Sequence, residues 1–379
     1  VTGSKHTVIF KLMASKTGVT KQKAQKTRTS QSPGGQFVMP AEWEPHRATW
    51  LCWPHNPNDW PGKIEPVKWT FCEIVRKITP SETVRLLVDS PSREKEARLY
   101  LSRAGVDLRK VQFIVKATDR SWLRDCGPIF ARETQSNRTA ILDFHFNGWA
   151  KYPNWKKDAT VPAFAAEFLK KPLIDVRIGK KPFVLEGGGI EVNGKGTLIT
   201  TEECYLDQKI QPRNPGITRA EFESTVRNYL GATNVFWLGR GIVGDDTHGH
   251  VDDLCRFVGP KTIVLVKEDN PKDANFRNLA ENWERIQDLR LEDGSKPEIV
   301  ALPMPSPIYY DGYRLPASYA NFYFTNTALL VPTFNDPKDI TALGILSELV
   351  KDRQIIGIYA GDLILGLGAI HCLTQQEPL

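Results

Sequence analysis

The stretch LGLGAIHCLTQQEP (residues 365–378) sets Cys372 beside a histidine, behind Gly366 and Gly368, and ahead of a polar exit of Thr374, Gln375 and Gln376. The two glycines permit a sharp backbone path and close approach to whatever the thiol faces. Such a cysteine can be core packing, half of a disulfide, a metal ligand or a nucleophile, and the rest of the chain has to decide. The stretch also belongs to a series. Polar clusters run from Asp59 in NPNDW to Asp125 in WLRDCGP, 66 residues on, then to Glu186 in LEGGG after 61 and to His250 in HGHVDD after 64. From His250 to Cys372 is 122, twice 61. A period near 60–65 residues implies about five similar strand–helix units that bury their apolar faces against one another. If equivalent strand ends converge on a central axis, residues far apart in sequence meet there.

Local patterns outward from these clusters agree with an α/β chain, short apolar strands alternating with amphipathic helices. Strands are expected at 83–89, 111–116, 140–146, 196–201, 262–267, 322–332 and 354–360. Helices are expected at 67–78, at 92–105 with Ser92 as N-cap and Gly105 as stop, at 218–231 capped by Thr218, and at 336–350. No long Ser/Gly linker divides 42–379, so the body is expected to be a single domain over 37–379.

The 379-residue chain is 41% apolar and 25% charged, the composition of a soluble globular protein. No apolar run approaches the roughly 18–20 residues of a membrane-spanning helix, so no membrane partner is expected. The net charge of +6 is misleading about nucleic acid, because residues 1–41 hold seven Lys or Arg and no acid. From residue 42 onward, 43 basic residues face 44 acidic ones. The basic excess therefore lies in a tail, residues 1–36, read as disordered or vector-derived, with organelle import as the sharper alternative. Six scattered cysteines with no C-x-x-C pair read as reduced thiols in a cytoplasmic or organelle-interior setting.

Taken singly, the clusters are weak signals. Gly187, Gly188 and Gly189 lack the spacing of a dinucleotide site, and no phosphate-binding G-x-x-x-x-G-K-[ST] occurs. His248 and His250, with Asp246, Asp252 and Asp253 nearby, lack companions at the spacing of a closed metal site, so no metal is expected. On a strand or tight turn His248, His250 and Asp252 share a face, and a histidine and a carboxylate aimed into one pocket can serve as acid/base and cation anchor. A thiol at a glycine-flanked turn, met by a histidine from a distant segment, fits covalent catalysis.

Together MPAEWEPHRATWLCWPHNPNDW, DRSWLRDCGP, LEGGGI, GDDTHGHVDD, ASYANFYFTN and GAIHCLTQQEP, in order over about 37–378, resemble the agmatine deiminase (agmatine iminohydrolase) family of the guanidine-modifying superfamily. The resemblance implies a pentein-like, pseudo-fivefold α/β propeller of five ββαβ-type units. It makes Cys372 the nucleophile, His250 the general acid/base, and Asp125 and Asp252 the holders of the guanidinium. Glu186 completes the catalytic group and orients His250, Asp246 is a further substrate-contacting carboxylate, and Trp122 is a wall of the pocket. It further implies agmatine as substrate, N-carbamoylputrescine and ammonia as products, no cofactor, and a homodimer. The family more often reads Gly-Gly-Gly-Asn where this chain has Gly366-Leu367-Gly368-Ala369, which bears on substrate fit. Deimination of free or peptidyl arginine, amidinotransfer on the same fold, a papain-like thiol hydrolase and a non-catalytic guanidinium-binding module are the competing readings.

Overall fold

The computed structural model describes residues 37–136 and 138–379, so the expectations for the tail 1–36 lie outside the described residues. Among the described residues five sheets of three or four strands repeat one pattern, alongside two short two-stranded ribbons. In each, a first strand pairs antiparallel with a second, which pairs parallel with a third. Parallel neighbours cannot be joined by a hairpin, and a helix crosses between them each time.

Ile129–Glu133, Thr139–Asp143 and Leu173–Asp175 take the helix Val161–Leu169 between the second and third strands. Glu191–Val192, Thr197–Thr201 and Asn234–Leu238 take Arg219–Leu230. Cys255–Gly259, Thr262–Lys267 and Glu298–Pro303 take Phe276–Arg285, and Tyr323–Phe324, Ala328–Thr333 and Gln354–Tyr359 take Lys338–Leu349. The remaining sheet joins Gln375–Pro378 to His46–Cys52, and Thr83–Val88 and Val111–Val115 extend it. No sheet among the described residues closes on itself as a barrel.

The chemistry of the helices explains where they start and what they cover. Thr218 caps Arg219–Leu230 through a reciprocal box with Glu221, and Gly231 ends it at φ 73°, as expected from the Thr and Gly that bracket the run. On Ile64–Ile78 the residues Val67, Phe71, Ile74, Val75 and Ile78 are buried along one face, spaced three and four apart. Cys72 lies on that face, and burial pushes its thiol up to about 12, the mark of an inert packing cysteine.

Three local expectations need correction. The cap of the helix expected at 92–105 is Ser90, whose hydroxyl accepts from Arg93 N, because Pro91 supplies the first helical position and its missing N–H costs nothing there. The run 322–332 is two antiparallel strands, Tyr323–Phe324 and Ala328–Thr333, folded back where Thr325 Oγ1 accepts from Ala328 N at 2.9 Å. The stretch around HGHVDD is a turn leading into a single 3-10 turn, Val251–Asp253, on which His250 and Asp252 meet as expected, 4.0 Å apart, while His248 leaves that face.

Candidate active site

Each first strand is preceded by one tight turn. These turns are Leu123–Cys126, Gly187–Gly189, Val251–Asp253, Ser318–Asn321 and Ile370–Leu373. Leu123–Cys126 packs on both Ile370–Leu373 and Gly187–Gly189, which in turn packs on Val251–Asp253. The repeat thereby brings Asp125, Glu186, His250 with Asp252, Asn321 and Cys372 to one place. One member differs in phase: Asp59 lines the same cavity as Cys372 and Asp125, but from the loop after His46–Cys52, where it pairs with Arg120, and not from a turn that precedes a first strand. The member skipped between His250 and Cys372 is Asn321, carried by the ASYANF segment.

Cys372 Sγ is 3.7 Å from Asp252 Oδ2 and receives a hydrogen bond from Asn321 Nδ2 at 3.2 Å. Asn321 also donates to Asp253 Oδ1 at 3.0 Å and accepts from His371 N at 3.0 Å, fixing the turn Ile370–Leu373 to the turn Val251–Asp253. His250 Nε2 lies 3.1 Å from Glu186 Oε2, and its Nδ1 lies 3.8 Å from Asp125 Oδ1 and 4.0 Å from Asp252 Oδ1. Asp125 accepts from Trp149 Nε1 at 2.9 Å and from Gly188 N at 3.1 Å. Trp149 presents its indole from a backbone at φ 57°, a conformation costly for a bulky residue and tolerated where a site demands it. Among the described residues, His250 Nδ1 and Asp252 Oδ1 have no hydrogen-bond partner, although both are buried. Buried polar atoms are ordinarily satisfied, so each of the two keeps a free hydrogen-bonding position.

The electrostatics follow from the packing. Burial first, then Asp252, Asp253 and Asp125, push the Cys372 thiol well above its ordinary value, so the free protein holds a neutral thiol. Burial raises Asp125 to about 6, with Glu186 and Asp252 adding to the rise and His250 opposing it. Burial disfavours the His250 imidazolium, yet Asp125, Cys204 and Glu186 together outweigh it and hold its pKa well above the usual range. Burial likewise opposes the Glu186 carboxylate, but Arg213, whose Nε lies 3.1 Å from both oxygens, keeps it below its usual value.

A cavity of about 450 Å³ opens onto Cys372, Asp125 and Trp122. Gly366 and Gly368 form its wall against aromatic rings: a Cβ at 366 would meet Trp60 Nε1 at 2.4 Å, and one at 368 would meet Trp122 Cζ3 at 2.9 Å. Leu367 between them sits at φ 67°, a left-handed conformation that costs an L-residue about 1 kcal/mol. Asp246 also lines the cavity, where it accepts from Tyr152 OH at 2.6 Å and pairs with Lys151. His248 departs from the shared face expected of it: at φ 63° it turns away from His250 and meets Asp207 Oδ2 at 2.9 Å.

Ligating atoms of Glu186, Cys204 and His250 lie within 4.8 Å of one another, the only such metal-sized group among the described residues. Both Glu186 oxygens are already engaged by the Arg213 guanidinium, a setting hostile to a further cation.

The triple glycine has an explanation that the dinucleotide comparison missed. A Cβ at 188 would lie 2.6 Å from His250 Nδ1, 2.9 Å from Asp125 Oδ1 and 3.0 Å from Asp252 Oδ2, at the point where the three groups meet. Gly188 is not among the positive-φ glycines, so alanine suits its backbone and strikes only the site. Gly188→Ala is expected to cut kcat/KM at least about 100-fold while the protein still folds, its melting temperature lowered by roughly a few degrees because the Cβ overpacks a buried cluster. Thermal melting beside steady-state kinetics checks both halves.

Sequence reasoning did not single out Asn321, His371, Arg213 or Trp149. Asn321 and His371 stood inside quoted motifs, whereas nothing local marks Arg213 or Trp149 as partners of Glu186 and Asp125.

A profile of the Porphyromonas-type peptidyl-arginine deiminase family matches residues 38–378. The agmatine deiminase of Pseudomonas aeruginosa (strain LESB58) is 33% identical over 375 residues, covering 93% of this chain and 98% of its own. Among solved structures, an agmatine deiminase of Enterococcus faecalis described as catalyzing its reaction superposes with a TM-score of 0.82 at 28% identity, over 90% of this chain and 96% of its own. A cysteine-to-serine variant of C. jejuni agmatine deiminase with substrate bound superposes with a TM-score of 0.81 at 28% identity, over 91% and 97%.

Proposed function

From the premise that the chain belongs to the Porphyromonas-type peptidyl-arginine deiminase family, we propose a reading of its reaction and of the residues that perform it. The chain hydrolyses agmatine to N-carbamoylputrescine and ammonia, a step of putrescine and polyamine formation. The observation that carries the mechanism is the convergence of Cys372 Sγ, Asp252, Asp125 and His250, with Cys372 and Asp125 lining the cavity and Asp252 and His250 buried directly behind them.

An alkylguanidinium is charged at any physiological pH, and its planar N–H forks match carboxylates. Asp125 and Asp252 hold it flat, with Trp122 as a wall. The bound cation and protonated His250 offset the acids that suppress thiolate, and the Cys372 proton leaves to solvent through the cavity. Thiolate attack forms a C–S bond to the guanidinium carbon. His250 gives its proton to the departing nitrogen, the C–N bond breaks, and ammonia leaves an S-alkylthiouronium on Cys372. The now neutral His250 takes a proton from water, whose oxygen attacks the same carbon. The C–S bond then breaks, releasing the ureido product. Glu186, held by Arg213, orients His250 throughout.

The five repeated units are read as the blades of a pseudo-fivefold propeller around this site; the common strand pattern and the packing of successive turns support it. Residues 37–379 form its catalytic domain. A homodimer in a reducing, cytoplasmic setting completes the reading, supported for the setting by six free, buried cysteines. No helix among the described residues is long and apolar enough to cross a membrane.

The direct test offers agmatine, arginine and a blocked arginine peptide side by side, with assay of ammonia and ureido product. Agmatine is expected to be the best substrate, yielding both products in equal amount; preference for the peptide would transfer the reading to peptidyl arginine. Since Asp125 accepts a cation only when ionised and its pKa stands at about 6, kcat/KM for agmatine falls as pH drops through 6. The loss is about tenfold at pH 5. A flat profile from pH 8 to 5 would contradict Asp125 as a holder of the cation.

A further inference from the structure

Next to the nucleophile, His371 faces away from the cavity and is fully enclosed, 1% exposed. Its Nδ1 lies 2.8 Å from Asp252 Oδ2 and its Nε2 lies 2.7 Å from Glu42 Oε2. Carboxylate oxygens only accept, so the ring donates on both sides. Glu42 is in turn fixed by Arg256 at 3.0 Å, Arg124 at 3.2 Å and Phe324 N at 3.0 Å. Arg256 also reaches Glu191 at 2.9 Å, so the row ends in a charge cluster that cannot shift without breaking several buried bonds. Only one Asp252 oxygen is tied down in this way. The other, Oδ1, has no partner among the described residues and lies near His250.

We propose that His371 is a positioning residue for deimination: braced against Glu42, it sets the rotation of the Asp252 carboxylate so that Asp252 meets the guanidinium beside Cys372 Sγ. The inference rests on the deimination reading above. It explains why a histidine precedes the nucleophile although His250 already serves as acid/base. A methyl or amide side chain there could fill space, but only a group with two opposed donors spans the gap from Glu42 to Asp252.

The isosteres of the two ring nitrogens separate this role from packing. In His371→Asn the amide nitrogen falls near the Nδ1 place and keeps the bond to Asp252; in His371→Gln it falls near Nε2 and keeps the bond to Glu42. Agmatine kcat and KM are measured from pH 5 to 9 for both variants and the parent, with thermal melting alongside. His371→Asn is expected within about fivefold of the parent in kcat/KM, and His371→Gln at least about 30-fold below it, mainly through KM. The Gln variant also moves the acid limb of its profile to higher pH. Burial works against the Asp252 carboxylate, and His371 is its first counterweight, followed by His250 and Arg256. Asp253, Asp125 and Cys372 also face it. With the His371 donor gone, Asp252 protonates at higher pH and loses the cation sooner.

Equal losses and unshifted profiles in the two variants overturn the proposal, and so does unfolding of both, which makes His371 a core brace. A parent protein that leaves agmatine unchanged overturns the deimination reading, and this inference with it.

Discussion

Replacing Cys372 with alanine is expected to lower agmatine turnover at least about 10⁴-fold, to the level of the uncatalysed background in a coupled ammonia assay. Affinity is expected to stay within about tenfold of the parent by calorimetry, because the proposed holders of the cation are other groups. Asp125 keeps its bonds from Trp149 and Gly188, Asp252 keeps His371, and Trp122 keeps its place against Gly368. The alanine retains Cβ, so the short helix Ile370–Leu373 loses the sulfur with its contacts to Asn321 and Asp252 and nothing of its backbone. Removing the thiol from beside three acids also removes a group those acids disfavour as thiolate, which leaves binding room to improve. Substantial residual turnover, or loss of binding in step with turnover, would refute the assignment. Cys72→Ala serves as the control: a deeply buried thiol on the apolar face of a helix is expected to lower stability and leave kcat unchanged.

The second large effect is expected at His250. His250→Gln removes the group proposed as proton donor to ammonia and base for water, and kcat is expected to fall about 10²–10⁴-fold. A separate change accompanies it. His250 is the foremost group lowering the pKa of Asp125, so its loss lets that carboxyl rise beyond about 6. The acid limb of kcat/KM therefore moves to higher pH, and KM at neutral pH increases. Glu186 keeps its pairing with Arg213 in the variant, so the scaffold under the site stays neutralised. Kinetics across pH 5–9 measure both effects. A variant within tenfold of the parent in kcat would remove His250 from the chemistry.

Features decided by neighbours in sequence were legible. Thr218 and Gly231 bracket a helix through contacts three to five residues away, and the structure has the box and the left-handed cap at those places. The strand runs at 83–89, 111–116 and 262–267 correspond to Thr83–Val88, Val111–Val115 and Thr262–Lys267. Ser92 failed as a cap because the decisive residue was Pro91, and 322–332 failed as one strand because a threonine turn interrupts an apolar run. The interval between polar clusters carried the repeat, yet spacing alone did not say which residue of each turn is equivalent. Asp59 reaches the cavity from a loop and not from one of the equivalent turns, and Asn321 was passed over because an amide among Ala, Tyr and Phe reads as a strand boundary.

The site's supports were hidden for a different reason. His371 meets Glu42 across 329 residues and Trp149 meets Asp125 across 24, and neither partner has a spacing that a helix or strand would impose. The first exists only once segments from opposite ends of the chain have packed together, and the second depends on the irregular loop that carries Trp149 back over the turn Leu123–Cys126. The resemblance of the motifs pointed to Cys372, His250, Glu186, Asp125 and Asp252. The three-way approach at Gly188, and the single tied oxygen of Asp252, needed coordinates.

The claim on which the account depends is that the thiol of Cys372 becomes bonded to the guanidinium carbon. Acid quenching within the first turnovers on agmatine, followed by intact and peptide mass spectrometry, tests it directly. The expected result is a transient gain of agmatine less ammonia, located on the peptide bearing Cys372 and decaying as N-carbamoylputrescine forms. Steady product formation with that peptide unmodified at every quench time, or the adduct on another cysteine, would contradict the account.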